Sequence, residues 1–133
     1  MKFYDYAMAP SPRRVRIFLA EKGLSIPTQQ VDLRNGEQFT RAFKELNPAC
    51  TVPVLELDDG ATITDILSIC RYLEEMHPDP PLMGRTPEER AVIGSLAARV
   101  EWDGFYAAME SNCASPSKRP RSLTALNLFR RNA

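Results

Sequence analysis

Residues 47–75 read NPACTVPVLELDDGATITDILSICRYLEE and form the most informative stretch of this chain. Pro53 stands inside an apolar run, although proline cannot donate to a sheet ladder. A strained turn at that point, a cis peptide included, would present main-chain polar groups to a ligand. Cys50 places a thiol beside this turn, where it would either pack as a small apolar group or meet a second sulfur. Asp65 sits at the start of a helical pattern, where a carboxylate is favoured by the helix dipole. Upstream, Arg13, Arg14 and Arg16 form a cationic cluster that would either attract an anion or line a solvated helix face. Metal chemistry finds little support. The cysteines (Cys50, Cys70 and Cys113) are three in number and widely spaced, no CxxC occurs, and His77 is the only histidine. Neither a disulfide framework nor a zinc site is expected, and no metal-binding residue is assigned.

The elements that must position these groups follow from local pattern. Residues 2–6 are β-prone and are closed by Pro10 and Pro12. Val15, Phe18 and Leu19 recur at helical spacing over residues 12–21, with Ser11 and Pro12 as a plausible N-cap and first helical residue and Gly23 at the C-terminal end. Residues 28–33 read as a second strand and end at an Asn35-Gly36 turn. Phe39, Phe43 and Leu46 share one face of a second helix over residues 37–46, which stops at Asn47-Pro48. Two short runs, 54–57 and 61–63, flank Asp58-Asp59-Gly60 as a hairpin. Ile66, Ile69, Leu73 and Met76 then share a face of a third helix, ended by His77-Pro78. A β-α-β opening followed by a hairpin and a helix predicts an α/β fold, a mixed sheet with helices packed on it. A proline-rich linker at 79–86 leads to Thr86-Pro87-Glu88-Glu89, the signature of another helix start.

Charge is zero overall but unevenly placed. Residues 1–110 hold all 17 acidic groups and 12 of the 17 basic ones, a net of −5, whereas residues 111–133 carry five basic groups and no acid. The body therefore offers no general basic surface for nucleic acid. No run approaches membrane-spanning length and the start lacks a signal-peptide core, so a cytoplasmic location and no membrane partner are expected.

Three stretches carry a resemblance: SPRRVRIFLAEKG (11–23), NPACTVPVLELDDG (47–60) and TITDILSICRYLEE (62–75). Together with the strand-helix order they resemble the thioredoxin-like N-terminal domain of cytosolic glutathione transferases of bacterial type. The resemblance covers residues 1 to about 110. It implies a thioredoxin-like βαβαββα domain over residues 1–78, a linker at 79–86, and the first helix of an all-helical domain at 87–110. Residues 111–133 do not resemble the family, and a truncated or frameshifted reading of a longer gene is the expectation for that basic tail.

The same resemblance implies a function: conjugation of the glutathione thiolate to a small electrophile, with glutathione as cosubstrate and no other cofactor. Val52 would pair its main chain with the cysteinyl part of glutathione, next to Pro53 as the cis residue. Asp65 would accept from the γ-glutamyl amine, and Cys50 would lie towards the glycyl end. Ile66 stands where the family has a serine, so one hydrogen bond to the γ-glutamyl carboxylate is lost and weaker binding is expected. Ser11 and Tyr6 are the candidates for stabilising the thiolate, since Ala9 and Pro10 occupy the usual catalytic positions. Family members pair as homodimers through both domains, so a homodimer is one expectation here, and poor dimerisation with an exposed apolar patch is the other for so short a chain. Two other readings stay open: a non-catalytic protein-interaction module on the thioredoxin fold, and a glutathione-dependent thiol oxidoreductase working through Cys50.

Overall fold

The computed structural model describes residues 1–106. They fall into two compact units, Met1–Gly84 and a second that begins at Arg85. The first unit runs β1 (Lys2–Asp5), α1 (Pro10–Glu21), β2 (Thr28–Gln30), a 3-10 turn (Glu37–Phe39), α2 (Arg41–Leu46), β3 (Val54–Glu56), β4 (Thr62–Ile63) and α3 (Ile66–Met76). Its four strands lie in the order β2-β1-β3-β4. β1 pairs parallel with β2 and antiparallel with β3, and β3 pairs antiparallel with β4. This is the thioredoxin-like βαβαββα arrangement that the resemblance implied.

Alternation along the strands divides the core. Phe3 is opposite Leu55, and Leu55 is opposite Ile63. These side chains meet α1 and α3 through Val15, Leu19, Ile69, Cys70 and Leu73. On the other sheet face, Tyr4 and Val54 pack with Val31, Phe43 and Val52. A period of two along β1 and β3 thus puts helices on both sides of one short sheet.

Local signals explain most element ends. α1 closes with Gly23 at φ 64°, where Gly23 N–H donates to Ala20 O and Leu24 N–H to Leu19 O. Those two bonds form a Schellman motif, and Leu24 then packs against the first core cluster. The Asp58-Asp59-Gly60 turn joins β3 to β4, with Leu57 N–H donating to Ala61 O. Gly60 has φ 85°, and a Cβ at that position would meet nothing within 4 Å, so only backbone conformation resists substitution there. Gly60→Ala should therefore cost about 1–2 kcal/mol, measurable as a lower urea midpoint with an unchanged slope.

Three local expectations need correction. α1 begins at Pro10 with Ala9 as a capping position that makes no side-chain bond, so Ser11 lies inside the first turn and is no cap. Both Pro10 and Pro12 suit a first turn, whose N–H groups need no helical partner, and the earlier one opens the helix. The second helix is broken at Thr40, whose hydroxyl caps α2 by accepting from Phe43 N–H. The break turns Phe39 outward, 60% exposed, while Phe43 stays buried. Met76 at the end of α3 is 55% exposed and does not join Ile69 and Leu73 in the core.

The second unit opens with α4 (Pro87–Arg99), capped by a reciprocal box between Thr86 and Glu89 at the helix start that its sequence predicts. From Val100 to Tyr106 the helix widens into π-type turns. The expectations for residues 107–110, for the basic tail at 111–133 and for Cys113 fall outside the described residues.

Candidate functional site

The loop between α2 and β3 is organised by Asn47, a buried residue whose place before Pro48 predicts only a helix stop. Its Nδ2 donates to Thr51 O (2.8 Å) and Thr51 Oγ1 (3.0 Å), and its Oδ1 accepts from Ala49 N–H (3.0 Å). Thr62 Oγ1, on β4, donates to Leu46 O at 3.0 Å and ties the same corner to the hairpin. Held this way, the chain passes through Cys50 at φ 56° and reaches a cis peptide between Val52 and Pro53. Val52 is 8% exposed, and among the described residues neither its N–H nor its C=O pairs with other main chain. A main chain left unpaired just before a strand is a place where an extended peptide would fit.

The segment after β1 lies against the same apolar cluster, because Tyr6 and Ala9 pack on Val52, Val54, Phe43, Val31 and Tyr4. The structure therefore puts Tyr6 against the same cluster that contains Val52. Ser11 is half-buried at the second position of α1. With Pro10 and Pro12 on either side, the first turn of α1 has lost two of its N–H donors, and Ser11 N–H stands between them. Arg16 is not a solvated cation: its guanidinium grips Asp5 and the carbonyls of Tyr6 and Ala7.

Asp65 is the N-cap of α3, and its Oδ2 accepts from both Ser68 N–H (2.8 Å) and Ser68 Oγ–H (2.9 Å). Both bonds use one oxygen and leave Oδ1 for another donor. Sequence reasoning does not single out Ser68; the available signal is a serine three residues after an aspartate that caps a helix. Ile66, next to Asp65, packs against the first core cluster and supplies no side-chain donor. Gln38 likewise escapes the sequence. It is buried, its Nε2 is 3.5 Å from Leu33 O, and its Oε1 has no hydrogen-bond partner. An amide on an exposed-looking turn carries no sequence signal of that kind.

The two thiols differ sharply. Burial pushes the Cys70 thiol up to about 11, with the Arg14 charge opposing and Asp65 reinforcing. Cys50 is half-buried, and its Sγ lies 3.5 Å from Pro48 O. Native-state alkylation followed by mass spectrometry should modify Cys50 and spare Cys70; equal labelling of both would contradict this burial. Among the described residues no group of three or more metal-binding side chains comes together, and no helix is long and apolar enough to cross a membrane.

A four-stranded mixed sheet with a cis-proline before β3 and a capped helix after β4 defines a thioredoxin-like domain. The profile described as "Glutathione S-transferase, N-terminal domain" matches residues 9–76, and the chain belongs to the glutathione S-transferase family. It is similar to glutathione S-transferase 2 of Saccharomyces cerevisiae, 41% identical over 103 residues, covering 76% of this chain and 44% of the yeast protein. Among solved structures, a glutathione S-transferase domain-containing protein from Marinobacter aquaeolei VT8 superposes with TM-score 0.73 at 47% identity, over 76% of this chain and 50% of that one. A maleylacetoacetate isomerase from Methylobacterium extorquens AM1, crystallised with malonate and glutathione bound, gives TM-score 0.69 at 37% identity, over 75% of this chain and 47% of that one. The chain thus spans about half the length of the relatives it matches.

Proposed function

We propose that this chain binds glutathione along the Val52-Pro53 turn and provides the glutathione half of a transferase that joins the thiolate to a small electrophile. The observation that carries this reading is the buried Val52, whose main chain is unpaired and lies in one cluster with Tyr6 and Ala9. Glutathione bound in the related isomerase supports it. In this reading Val52 pairs with the cysteinyl unit, Pro53 shapes the turn, and Cys50 faces the glycyl end. Asp65 Oδ1 takes the γ-glutamyl amine, and the Ile66 N–H takes the carboxylate. Tyr6 or Ser11 meets the sulfur in this reading. The protein acts in the cytoplasm, as a homodimer, with the electrophile bound by residues beyond the first unit.

Asp65 separates binding from folding. Asp65→Asn keeps an oxygen for the cap but removes the charge, and a hydrogen bond to a charged group contributes about 1.5–3 kcal/mol. Calorimetry should show glutathione binding weakened about tenfold or more, with the melting temperature nearly unchanged. Because Ile66 lacks a hydroxyl, the wild-type dissociation constant should lie above the micromolar range. Micromolar binding would contradict the assigned loss at Ile66.

A second reading, a protein-interaction module without catalysis, is favoured by one observation: the position capping α1 is Ala9 and makes no side-chain bond. A cooperatively folded chain that binds no glutathione in calorimetry would select it.

A further inference from the structure

Asp5 is 2% exposed at the end of β1, and its carboxylate is not needed to close any strand or helix. Arg16, in the second turn of α1, places Nη1 2.8 Å from Asp5 Oδ1 and 2.9 Å from Oδ2. The same guanidinium donates through Nη2 to Ala7 O (3.1 Å) and reaches Tyr6 O (3.5 Å). Gln30, the last residue of β2, donates through Nε2 to Asp5 Oδ2 (3.0 Å), and its Oε1 accepts from Ala7 N–H (2.8 Å). Three elements therefore converge on one residue of loop, with Ala7 held at both its N–H and its C=O. The loop is closed on itself by Ala9 N–H donating to Tyr6 O at 2.9 Å.

Only Asp5 is buried in this network, and a partly buried ion pair of this kind is a weak source of stability, because desolvation offsets much of its attraction. Packing of Tyr6 and Ala9 on the second cluster would by itself keep the loop on the sheet. What the network adds is placement. A planar guanidinium fork and a side-chain amide together fix the two peptide planes that flank Ala7 and hence the path from Tyr6 to Ser11.

We propose that Asp5, Arg16 and Gln30 are positioning residues that set residues 6–11 at a fixed distance from the Val52-Pro53 turn, so that this segment meets the sulfur of bound glutathione. The inference rests on the glutathione reading above and deepens it: the network acts on the sulfur end of the ligand, whereas Val52 and Asp65 act on its peptide. Glutathione and S-methylglutathione share the peptide and differ only at sulfur, so their affinity ratio isolates this effect.

Both ligands are titrated calorimetrically into the full chain and into Gln30→Leu and Arg16→Lys. Gln30 is exposed, so Gln30→Leu is not expected to unfold the protein, and thermal melts check both variants. The wild type should prefer glutathione, and each variant should lose about tenfold of that preference while still binding S-methylglutathione. Equal weakening towards both ligands, or a wild type without preference, overturns the positioning role and leaves the glutathione reading standing. A wild type that binds neither ligand removes the glutathione reading and this inference with it.

Discussion

Lys22→Met should destabilise the first unit by about 3–5 kcal/mol, because it leaves the Glu74 carboxylate buried without its counter-charge. The Lys22 side chain is completely buried, with Nζ donating to His77 O and Pro80 O, each at 2.6 Å. It lies 2.5 Å from Glu74 Oε2, while Glu74 Oε1 accepts from Met83 N–H at 3.0 Å. The pair therefore ties α1, the end of α3 and the segment through Met83 into one corner. Urea unfolding followed by circular dichroism measures the loss. Lys22→Met combined with Glu74→Leu should recover much of it, since a buried pair replaced by apolar groups is often tolerated. A single variant within about 1 kcal/mol of wild type would contradict the burial of the pair.

The same corner sets an acid dependence. Burial raises the Glu74 pKa, but the Lys22 ammonium and the Met83 and Leu82 N–H groups outweigh it, and the carboxyl titrates below its ordinary value. Its contribution is fully present above the unfolded value of about 4.3 and is lost as pH falls through the lower folded value. Stability should therefore decline on acidification below that range, and less steeply in the Lys22→Met variant.

Phe3→Ala is the second large effect, about 3–5 kcal/mol. Phe3 is fully buried on the central strand β1, opposite Leu55 on β3 and Thr28 on β2. Truncating it empties the layer between the sheet and Val15, Leu19, Ile69 and Leu73. Phe3→Leu, which retains more of the volume, should cost clearly less in the same melt. A loss below about 1 kcal/mol for the alanine variant would mean that the layer closes over the gap.

Much of this architecture could be read from short-range features. The hairpin at Asp58-Asp59-Gly60, the Gly23 end of α1 and the Thr86 box each depend on a few neighbouring residues, and each forms where its sequence predicts. Ser11 departs from its expected capping role because two prolines in three residues offer two equally good helix starts. Phe39 departs from the helix face because Thr40 is both a tolerable helix residue and a strong cap, and capping wins. Of the candidate site, only local geometry was legible, the cis turn at Val52-Pro53 and the helix start at Asp65. Asp5, Arg16 and Gln30 meet from three elements far apart in sequence, and Lys22 and Glu74 stand 52 positions apart. No local periodicity records such pairings, and Arg16 read by itself resembles any exposed helix arginine.

The strand order has a consequence for how the chain assembles. β1, the first strand of the unit along the chain, ends in the middle of the sheet, with Phe3 paired to Thr28 on one side and to Leu55 on the other. The first pairing closes a loop of about half the span of the second, and α1 can bridge it as a crossover. Closing the longer span costs more chain entropy before any contact rewards it. The β1–α1–β2 half is thus available early as a nascent chain emerges, while the antiparallel half waits for residues 54–63. Pulsed amide exchange during refolding would register that sequence as protection on the β2 side of β1 preceding protection of β3 and β4.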